Sequence, residues 1–412
     1  MKIPQCSIRS WQKWILDQFY MEGPEKFHAK TLKGLEGLLA EELRSLGASR
    51  TEILNRGVSF YGGRALMYRV NLASRLALRV LLPILRFEAT DTDSLYRRIR
   101  KFDWSGYLDN RMTFAVDPVV HSPHFKNSQF VALKVKDAIV DRFRERTSLR
   151  PSVNRQKPDL LINVHISGSW VNISLDSSGG SLHKRGYRTG HGSFEAPLNE
   201  VLAAGMVKIA GWDGKTPFLD PMCGSGTLAI EAAMIAANIP PGIFRKSFGF
   251  ENWKDFDRDL MEHVAQKLPA EREVVVPIIA RDVDPEAVQL TRRLVKQMEL
   301  QNMITVEQGD FAESEAMEGI TLIMNPPYGE RMKPDDIEAL YSMTGSTLKH
   351  KFPGSEAWIL SSSKKALGNI GLKPSSRHEL FNGSLSCSYV NYKTFSGNWK
   401  DHKAQITGDQ KK

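Results

Sequence analysis

The chain has 412 residues, of which 41% are hydrophobic and 25% charged, and its formal net charge is +9. This composition excludes a disordered chain, a collagen-like repeat and a disulfide-stapled miniprotein. No run approaches the roughly 20 apolar residues of a membrane span. The three cysteines form no CxxC pair and the histidines show no metal spacing, so we predict a soluble, metal-free protein of the reducing cytoplasm.

The positive charge is concentrated in one part of the chain. Residues 26–190 hold 28 Lys and Arg against 15 Asp and Glu, a net charge of +13, whereas residues 191–412 carry −4. A basic module joined to a slightly acidic one indicates a polyanion-binding part and a separate chemical part. A solvated basic surface without a partner is the alternative.

The elements predicted in the N-terminal half are of mixed type. Residues 1–25 form an aromatic-rich arm, and residues 26–180 an α+β region that we expect to bind RNA. Apolar spacing predicts three helices, the first capped by Thr31: Leu35–Leu46, Ala65–Leu85 and Phe130–Arg146. Alternating patterns predict strands at Gly57–Tyr61, Met112–Val119 and Leu161–Leu175.

Strand and helix patterns alternate over residues 181–400, which predicts a doubly wound, mostly parallel α/β sheet. The predicted strands are Pro217–Asp220, Ile278–Asp282, Ile304–Gln308, Leu322–Asn325 and Ala357–Ser361. The predicted helices are Leu198–Gly211, Leu228–Ala237, Pro285–Glu299 and Ile337–Lys349. Residues 401–412 are polar, and we expect a disordered tail.

The first motif is the loop after the first of these strands, in the sequence FLDPMCGSGTLA. Asp220 ends the strand, and Gly224 and Gly226 would let a ligand approach the backbone before the next helix begins. The absence of Lys after Gly226 excludes a Walker phosphate loop. An Asp at the strand end suits a cationic or amine-bearing ligand, although a plain tight turn is the alternative.

Acidic residues follow the next two strands. Asp282 stands where a doubly wound sheet typically binds ribose hydroxyls, and Asp284 is placed to cap the following helix. Asp310 could accept a hydrogen bond from an adenine amino group, or it could be an ordinary turn aspartate.

The fourth motif is Asn325-Pro326-Pro327-Tyr328 at the end of the fourth strand. Two prolines cannot continue a central strand, so they fix a rigid exit. The Asn325 side-chain oxygen and a proline carbonyl can hold an exocyclic amine, and Tyr328 offers a ring for base stacking. A proline-rich turn without a ligand is the alternative.

The DPMCGSGT motif followed about 100 residues later by NPPY resembles class I S-adenosylmethionine-dependent amino-methyltransferases. The segment from His183 to Arg188, with Ala196–Leu198 and Gly211-Trp212, is similar to the entry of this domain in THUMP-domain RNA methyltransferases. More narrowly, the chain resembles the bacterial enzymes that methylate guanine N2 in 23S ribosomal RNA, which are often labelled N6-adenine-specific DNA methylases.

The resemblance implies S-adenosylmethionine (SAM) as cofactor and direct methyl transfer that needs no strong general base. It places the cofactor on Asp220, Cys223, Gly224, Gly226, Thr227, Asp282 and Asp310. It places the target amine on Asn325, Pro326, Pro327 and Tyr328. Pyrimidine C5 chemistry would need a cysteine thiolate, but we expect Cys223 and Cys387 to be small buried residues.

The resemblance also implies that the basic module grips the RNA backbone, since phosphate contacts position a substrate without reading its sequence. The candidate contacts are Lys126, Lys134, Lys136, Arg142, Arg144, Arg155 and, between the modules, Lys184, Arg185 and Arg188; the segment His183–Arg188 could instead only brace the domain interface. Three functions stay open: guanine-N2 methylation of RNA, most specifically 23S ribosomal RNA or a large-subunit precursor; adenine-N6 methylation of DNA or RNA; and a non-catalytic RNA-binding assembly factor.

Overall fold

The computed structural model describes residues 24–188, 197–327 and 334–395, with the side chains of residues 334 and 335 left out. The chain forms two compact units. The first contains the chain up to Thr31, Leu39–Leu182 and Lys246–Leu268. The second contains Leu32–Leu38, His183–Arg245 and the chain from Pro269 onward. Tyr328, the predicted tail and nearly all of the predicted arm lie outside the described residues.

The first unit contains a mixed eight-stranded sheet with the order β2-β3-β1-β4-β8-β7-β5-β6. Its pairs are antiparallel except that β5 runs parallel to β6 and β7. Up to residue 176 the elements are β1 (Glu25–Lys30), α1 (Glu36–Ser45), β2 (Thr51–Leu54), β3 (Gly57–Gly62), α2 (Arg64–Ala73), β4 (Arg79–Glu88), α3 (Thr92–Lys101), β5 (Thr113–His121), α4 (Ser128–Thr147), β6 (Ser152–Val153), β7 (Leu160–Ser167) and β8 (Trp170–Asp176).

The predicted helix over Ala65–Leu85 is wrong in its second half. Helix α2 ends at Ala73, and β4 follows from Arg79. A continuous apolar run suits a buried strand as well as a buried helix, and here pairing with β1 on one side and β8 on the other decides for the strand. Pro83 is tolerated because the β4–β8 register shifts beside it.

The predicted cap on the first helix is also wrong. The Thr31 hydroxyl donates to the Leu76 carbonyl oxygen at 2.7 Å instead of capping α1. Helix α3 was not predicted; it begins with a capping box formed by Asp91 and Ser94. Asp91 accepts hydrogen bonds from the backbone N–H groups of Asp93 and Ser94, so the start of this basic helix is fixed.

The second unit is built on a seven-stranded sheet with the order β11-β10-β9-β12-β13-β15-β14. From residue 200 the elements are α5 (Glu200–Ile209), β9 (Phe218–Asp220), α6 (Thr227–Ala236), α7 (Arg258–Gln266), β10 (Ile278–Asp282), α8 (Pro285–Gln297), β11 (Ile304–Gln308), β12 (Thr321–Met324), α9 (Pro334–Lys351), β13 (Glu356–Ser361), α10 (Lys364–Gly368), β14 (Pro374–Asn382) and β15 (Leu385–Lys393).

Five neighbouring strands of this sheet are parallel, in the order β11-β10-β9-β12-β13. The ends of the predicted strands agree with them within one residue. Parallel strands covered on both faces read as continuous apolar runs, and Leu322, Ile323 and Met324 of β12 are fully buried. Because β9 lies between β10 and β12, the strand order reverses there, and such a point is where α/β sheets bind ligands.

The segment Lys246–Leu268 belongs to the first unit although it lies within the C-terminal half of the sequence. Its Phe250 ring lies 4.5 Å from the Tyr68 ring, and the Tyr68 hydroxyl accepts a hydrogen bond from the Asp257 backbone N–H. Arg64 pairs with Asp255 at 2.5 Å. These contacts join residues far apart in sequence, so neither composition nor periodicity could indicate them.

Two general features of the described residues bear on function. None of their helices is both long enough and apolar enough to span a membrane. They also contain no group of three or more His, Cys, Asp or Glu side chains arranged to hold a metal ion.

A pair of helix glycines tests the packing of the second unit. A Cβ added at Gly345 in α9 would lie 1.8 Å from the Ile370 carbonyl oxygen, whereas one added at Gly37 in α1 meets nothing within 4 Å. We expect Gly345→Ala to lower the free energy of unfolding by about 1–3 kcal/mol through overpacking. Gly37→Ala should raise it by about 0.5–1 kcal/mol because alanine favours helix. Guanidinium denaturation measures both, and equal effects would contradict this packing.

Candidate active site

The loop between β9 and α6 has a backbone that requires glycine. Gly224 and Gly226 both have positive φ, 53° and 73°. The loop is tied by the Gly226 N–H to the Cys223 carbonyl at 2.8 Å and by the Cys223 N–H to the Arg281 carbonyl at 2.9 Å. A Cβ at Gly226 would lie 2.5 Å from Thr291 Cγ2, so a side chain there would displace α8.

This loop forms one wall of a cavity of about 520 Å³ at the carboxyl ends of β9 to β12. Ligand-binding pockets typically fall in this size range. The cavity brings together most of the predicted site residues: Asp220, Cys223, Gly224, Thr227, Asp282, Asp310, Asn325 and Pro327. Gly226 and Pro326 are not among its lining residues but adjoin them in the chain, and Tyr328 lies outside the described residues.

Asp220 is the most strongly perturbed acid of the cavity. Its side chain is buried, and within the described residues neither carboxylate oxygen makes a hydrogen bond of ordinary geometry. Burial raises the pKa of Asp220 well above its usual value, and the charge of Asp282 raises it further, while the Met222 N–H partly offsets the rise. A cation bound in the cavity would therefore strongly stabilise the ionised form of Asp220.

Asp282 serves as an internal brace of the cavity. One of its oxygens accepts the Gly224 N–H at 2.7 Å and the other accepts the Asp284 N–H at 3.0 Å. Asp284 caps α8 through the Glu286 N–H, as predicted, with Pro285 in the first turn. Each carboxylate oxygen has a second lone pair, so Asp282 can still accept hydrogen bonds from a ligand.

Asp310 lies on the cavity wall and is exposed. One of its oxygens accepts the Ala312 N–H at 2.9 Å and so caps a short 3₁₀ helix. Asp310 thus acts as an ordinary turn aspartate, which was the alternative to adenine binding. Its second carboxylate oxygen takes no part in the cap.

Asn325 follows the last residue of β12, and the two prolines after it end the strand. Its Oδ1 atom is buried and has no hydrogen-bond partner in the described part of the chain. Because Asn325 lines the cavity, a donor bound there can satisfy this oxygen.

Arg188 and Arg185 do not fit the predicted role of RNA contacts. Arg185 is fully buried and pairs with Glu231 at 3.1 Å. The Arg188 guanidinium donates to Glu200 at 2.7 Å, to Ser225 at 3.0 Å and to the Thr227 hydroxyl. Both cations are therefore used inside the second unit, where Arg188 holds the loop and the start of α6. Lys184 is exposed and remains a predicted contact.

Two residues that stabilise the loop between β9 and α6 were not predicted from the sequence. Thr291, buried in α8, donates from its hydroxyl to the Gly224 carbonyl at 2.9 Å. Arg281 donates to Glu307 at 2.6 Å and to Ser314 at 2.6 Å, which joins the ends of β10 and β11. Neither stands in a motif, and their partners are 26 or more residues away, so no local signal could have identified them.

The cysteines are unsuited to nucleophilic catalysis. Burial raises the pKa of the Cys223 thiol far above its usual value, and the charges of Asp220 and Asp282 raise it further. Cys387 is buried in β15. A thiol that stays protonated is a poor nucleophile, which agrees with the expectation that neither cysteine attacks a base.

In the first unit, the predicted RNA contacts of α4 are partly neutralised by acidic neighbours. Arg142 lies 3.7 Å from Glu145, Lys136 2.7 Å from Asp137, and Arg144 3.6 Å from Asp141. Lys134 instead lies over the Tyr96 and Phe130 rings. Lys134 and Arg142 remain predictions, and only Lys134 of these four makes no ion pair among the described residues.

Three regions of the chain match family models in order. Residues 26–81 match the RlmL ferredoxin-like domain, residues 89–176 the THUMP domain, and residues 185–391 the model described as "RMKL-like, methyltransferase domain".

Curated relatives are similar over nearly the whole chain. A protein of Synechocystis sp. named "Putative RNA methyltransferase" is 40% identical over 374 residues, which cover 90% of this chain and 97% of that protein. A protein of Syntrophotalea carbinolica named "Ribosomal RNA large subunit methyltransferase K/L" is 38% identical over 90% of this chain and 54% of its own length. The chain thus spans about half the length of the K/L relatives.

Solved structures are similar as well. One described as "a putative methyltransferase complexed with SAH" (S-adenosylhomocysteine) superposes with a TM-score of 0.82 at 28% identity, covering 92% of this chain and 100% of that one. A "predicted N6-adenine-specific DNA methylase" from Listeria monocytogenes gives 0.81 at 29% identity, covering 92% and 98%.

Replacing Asp220 by Asn should stabilise the ligand-free protein. Because its pKa is raised in the folded state, Asp220 must there either bind a proton or carry an unfavourable buried charge. At the same pH, Asp220 of the unfolded chain ionises freely. That cost begins near pH 4, grows with pH and levels off above the folded-state pKa. We expect Asp220→Asn to raise the free energy of unfolding at neutral pH by about 1–3 kcal/mol. Thermal unfolding from pH 4 to 8 measures it, and an advantage that fails to shrink at low pH would contradict it.

The Arg188→Gln variant tests whether Arg188 stabilises the loop between β9 and α6 or contacts RNA. Removing the guanidinium leaves the nearly buried Glu200 without its cation, so the free energy of unfolding should fall by about 3 kcal/mol in the absence of RNA. Lys184→Gln, at an exposed neighbour, should change it by less than about 0.5 kcal/mol. Denaturant titrations of both variants make the comparison. Equal stabilities would show that Arg188 does not brace the loop.

Proposed function

Because this chain belongs to the family of RMKL-like methyltransferases, we propose that it methylates an exocyclic amine of a base in RNA, with guanine N2 of 23S ribosomal RNA as the target. Family membership confirms three predictions: the resemblance to THUMP-domain methyltransferases, the doubly wound fold and SAM as methyl donor. The base, the nucleotide and the ribosomal substrate are the proposed part.

One observation carries the proposal for the site. Two acceptors of the cavity wall, the Asp220 carboxylate and Asn325 Oδ1, make no hydrogen bond of ordinary geometry with any residue that the structure describes. Buried acceptors are almost always paired, so their lack of partners indicates that ligand donors complete them. SAM brings positive charge and amino groups, and a target base brings an exocyclic amine. The residues therefore fit the cofactor and its substrate.

We assign the predicted roles on this basis. Asp220 would face the positively charged part of the cofactor, Asp282 its ribose hydroxyls and Asp310 its adenine edge, with Cys223, Gly224, Gly226 and Thr227 forming the loop beneath. When bound, SAM supplies a methyl group on a sulfonium that is already a strong electrophile. The protein's task is then to orient and to exclude water.

Asn325 would accept a hydrogen bond from the target amine, and the Pro326 carbonyl a second, which directs the amine lone pair. Pro327 keeps this exit rigid, and Tyr328 is proposed to stack on the base. An amine can lose its proton after the methyl group is transferred, so this assignment includes no general base.

The choice of RNA is supported by the match to the THUMP domain and by the basic excess of the N-terminal half. The choice of large-subunit RNA is supported by the names of the K/L relatives. We propose that the region of residues 26–180 binds RNA in the cytoplasm and that the region 181–400 transfers the methyl group.

A tritiated-methyl transfer assay tests the proposal. The protein is incubated with labelled SAM and with total RNA or genomic DNA from a strain lacking it, and the labelled nucleosides are separated by chromatography. We expect label in N2-methylguanosine of 23S RNA. Asn325→Ala should lower kcat/KM by about 100-fold or more, since an orienting polar contact is worth that much. It should leave SAH affinity within about twofold, and the exposed Asn302→Ala is the matched control.

The other outcomes discriminate among the alternatives. Label in N6-methyladenine, in DNA or RNA, would overturn the guanine assignment and leave amine methylation standing. No label together with no SAH binding by calorimetry would contradict catalysis and favour an RNA-binding assembly factor.

A further inference from the structure

The first unit contains a cavity of about 420 Å³ among the end of β4, the end of α3 and the start of β8. Its lining residues include three aromatics, three cations and one acid: Trp170, Phe102, Phe87, Arg86, Arg98, Lys101 and Glu88. None of these residues belongs to the methyltransferase site or to the predicted RNA contacts.

The aromatic wall is exposed and held in place. Trp170 opens β8 and pairs with Glu88 of β4 in antiparallel register. Its side chain is 41% exposed, which is unusual for the largest side chain in a rigid sheet. The Arg86 guanidinium carbon lies 4.4 Å from the indole centroid, on the same face of β4 as Glu88. Arg86 thus covers part of the ring and fixes it, while the rest of the side chain stays exposed.

The cationic wall carries uncompensated charge. Arg98 and Lys101 are three residues apart in α3 and so share one helix face. Neither they nor Arg86 make an ion pair within the described residues, although Arg100 of the same helix pairs with Glu145. With the cations of α4 largely paired, free positive charge is concentrated beside an exposed indole.

We infer that this cavity binds an unpaired nucleotide of the RNA substrate. The base stacks on Trp170, the phosphate lies between Arg98 and Lys101, and Glu88 accepts a hydrogen bond from a base amino group. A base can reach a ring inside a concave site only when it is not stacked in a duplex, so single-stranded RNA is the ligand. The inference rests on the proposed function, because it takes RNA as the substrate.

Binding of a short fluorescein-labelled single-stranded RNA, and of the same RNA annealed into a duplex, is measured by anisotropy with the full chain. We expect Trp170→Ala to weaken single-strand binding about tenfold, the size of one lost stacking contact. Duplex binding should change less than about twofold. Phe130→Ala removes an aromatic side chain of similar exposure, 46%, and should leave both unchanged.

The charges are tested by salt dependence. Replacing Arg98 and Lys101 together by Gln should make the slope of log affinity against log salt shallower by about 0.7, since the two cations share one phosphate and each neutralised phosphate of a single strand contributes about that much. Trp170→Ala should weaken binding with an unchanged slope. Lys365 and Lys393 are exposed cations that pair with Glu338 and Glu356 and are not among the predicted RNA contacts. Their double replacement by Gln is the matched control and should leave the slope nearly unchanged.

Trp170→Phe should keep most of the single-strand affinity that Trp170→Ala loses, because phenylalanine retains an aromatic ring. SAH binding by every variant reports that the second unit is folded, and thermal unfolding reports on the first. If the wild-type protein binds and methylates RNA while Trp170→Ala and the double variant bind as well as wild type, the cavity assignment is wrong and the proposed function stands. If the wild-type protein binds SAH but neither binds nor methylates RNA, both are wrong.

Discussion

The second unit is organised around two carboxylates that the sheet forces together. Asp220 and Asp282 end adjacent parallel strands, and parallel strands place their carboxyl ends at one edge. Two carboxylates beside each other oppose folding when both are ionised, and Asp220 is buried without a hydrogen bond of ordinary geometry to any described residue. The surrounding contacts hold them there nonetheless: Asp282 accepts the Gly224 N–H, Thr291 holds the Gly224 carbonyl, and Arg188 holds the start of α6. A cationic cofactor bound beside Asp220 and Asp282 would reduce this repulsion.

Much of this site could be predicted because its residues stand at fixed points of a repeating pattern. Once strands and helices alternate, each acidic or amide residue at or just beyond the carboxyl end of a strand is assigned to one edge of the sheet. Asp220, Asp282, Asp310 and Asn325 therefore meet at the cavity although 105 residues separate the first from the last. The same pattern gave the five parallel strands within one residue. Positions follow from such a pattern, whereas the role of each residue in binding or catalysis remains proposed.

What the sequence could not indicate depends on partners distant in the chain. A basic segment has the same pattern whether its arginines face solvent or a buried acid, so Arg185 was assigned to RNA although it pairs with Glu231. Leu76–Leu85 is apolar enough for either a helix or a strand, and pairing with β1 and β8 decided it. Thr291 is an ordinary helix residue until the Gly224 carbonyl lies beside it. In each case the deciding energy comes from tertiary contact.

The same reasoning applies to the basic region as a whole. A net charge of +13 predicts attraction to a polyanion at long range, but it does not locate the surface that binds. Helix α4 has many cations, yet acidic residues within one turn neutralise most of them. Helix α3 has fewer, but Arg98 and Lys101 make no ion pair with any residue that the structure describes, and they line the same cavity as the exposed Trp170. Salt screens the interactions of exposed charges but leaves stacking nearly unchanged. The specificity for unpaired RNA that we propose would therefore depend on where such cations and an aromatic ring coincide rather than on the number of basic residues.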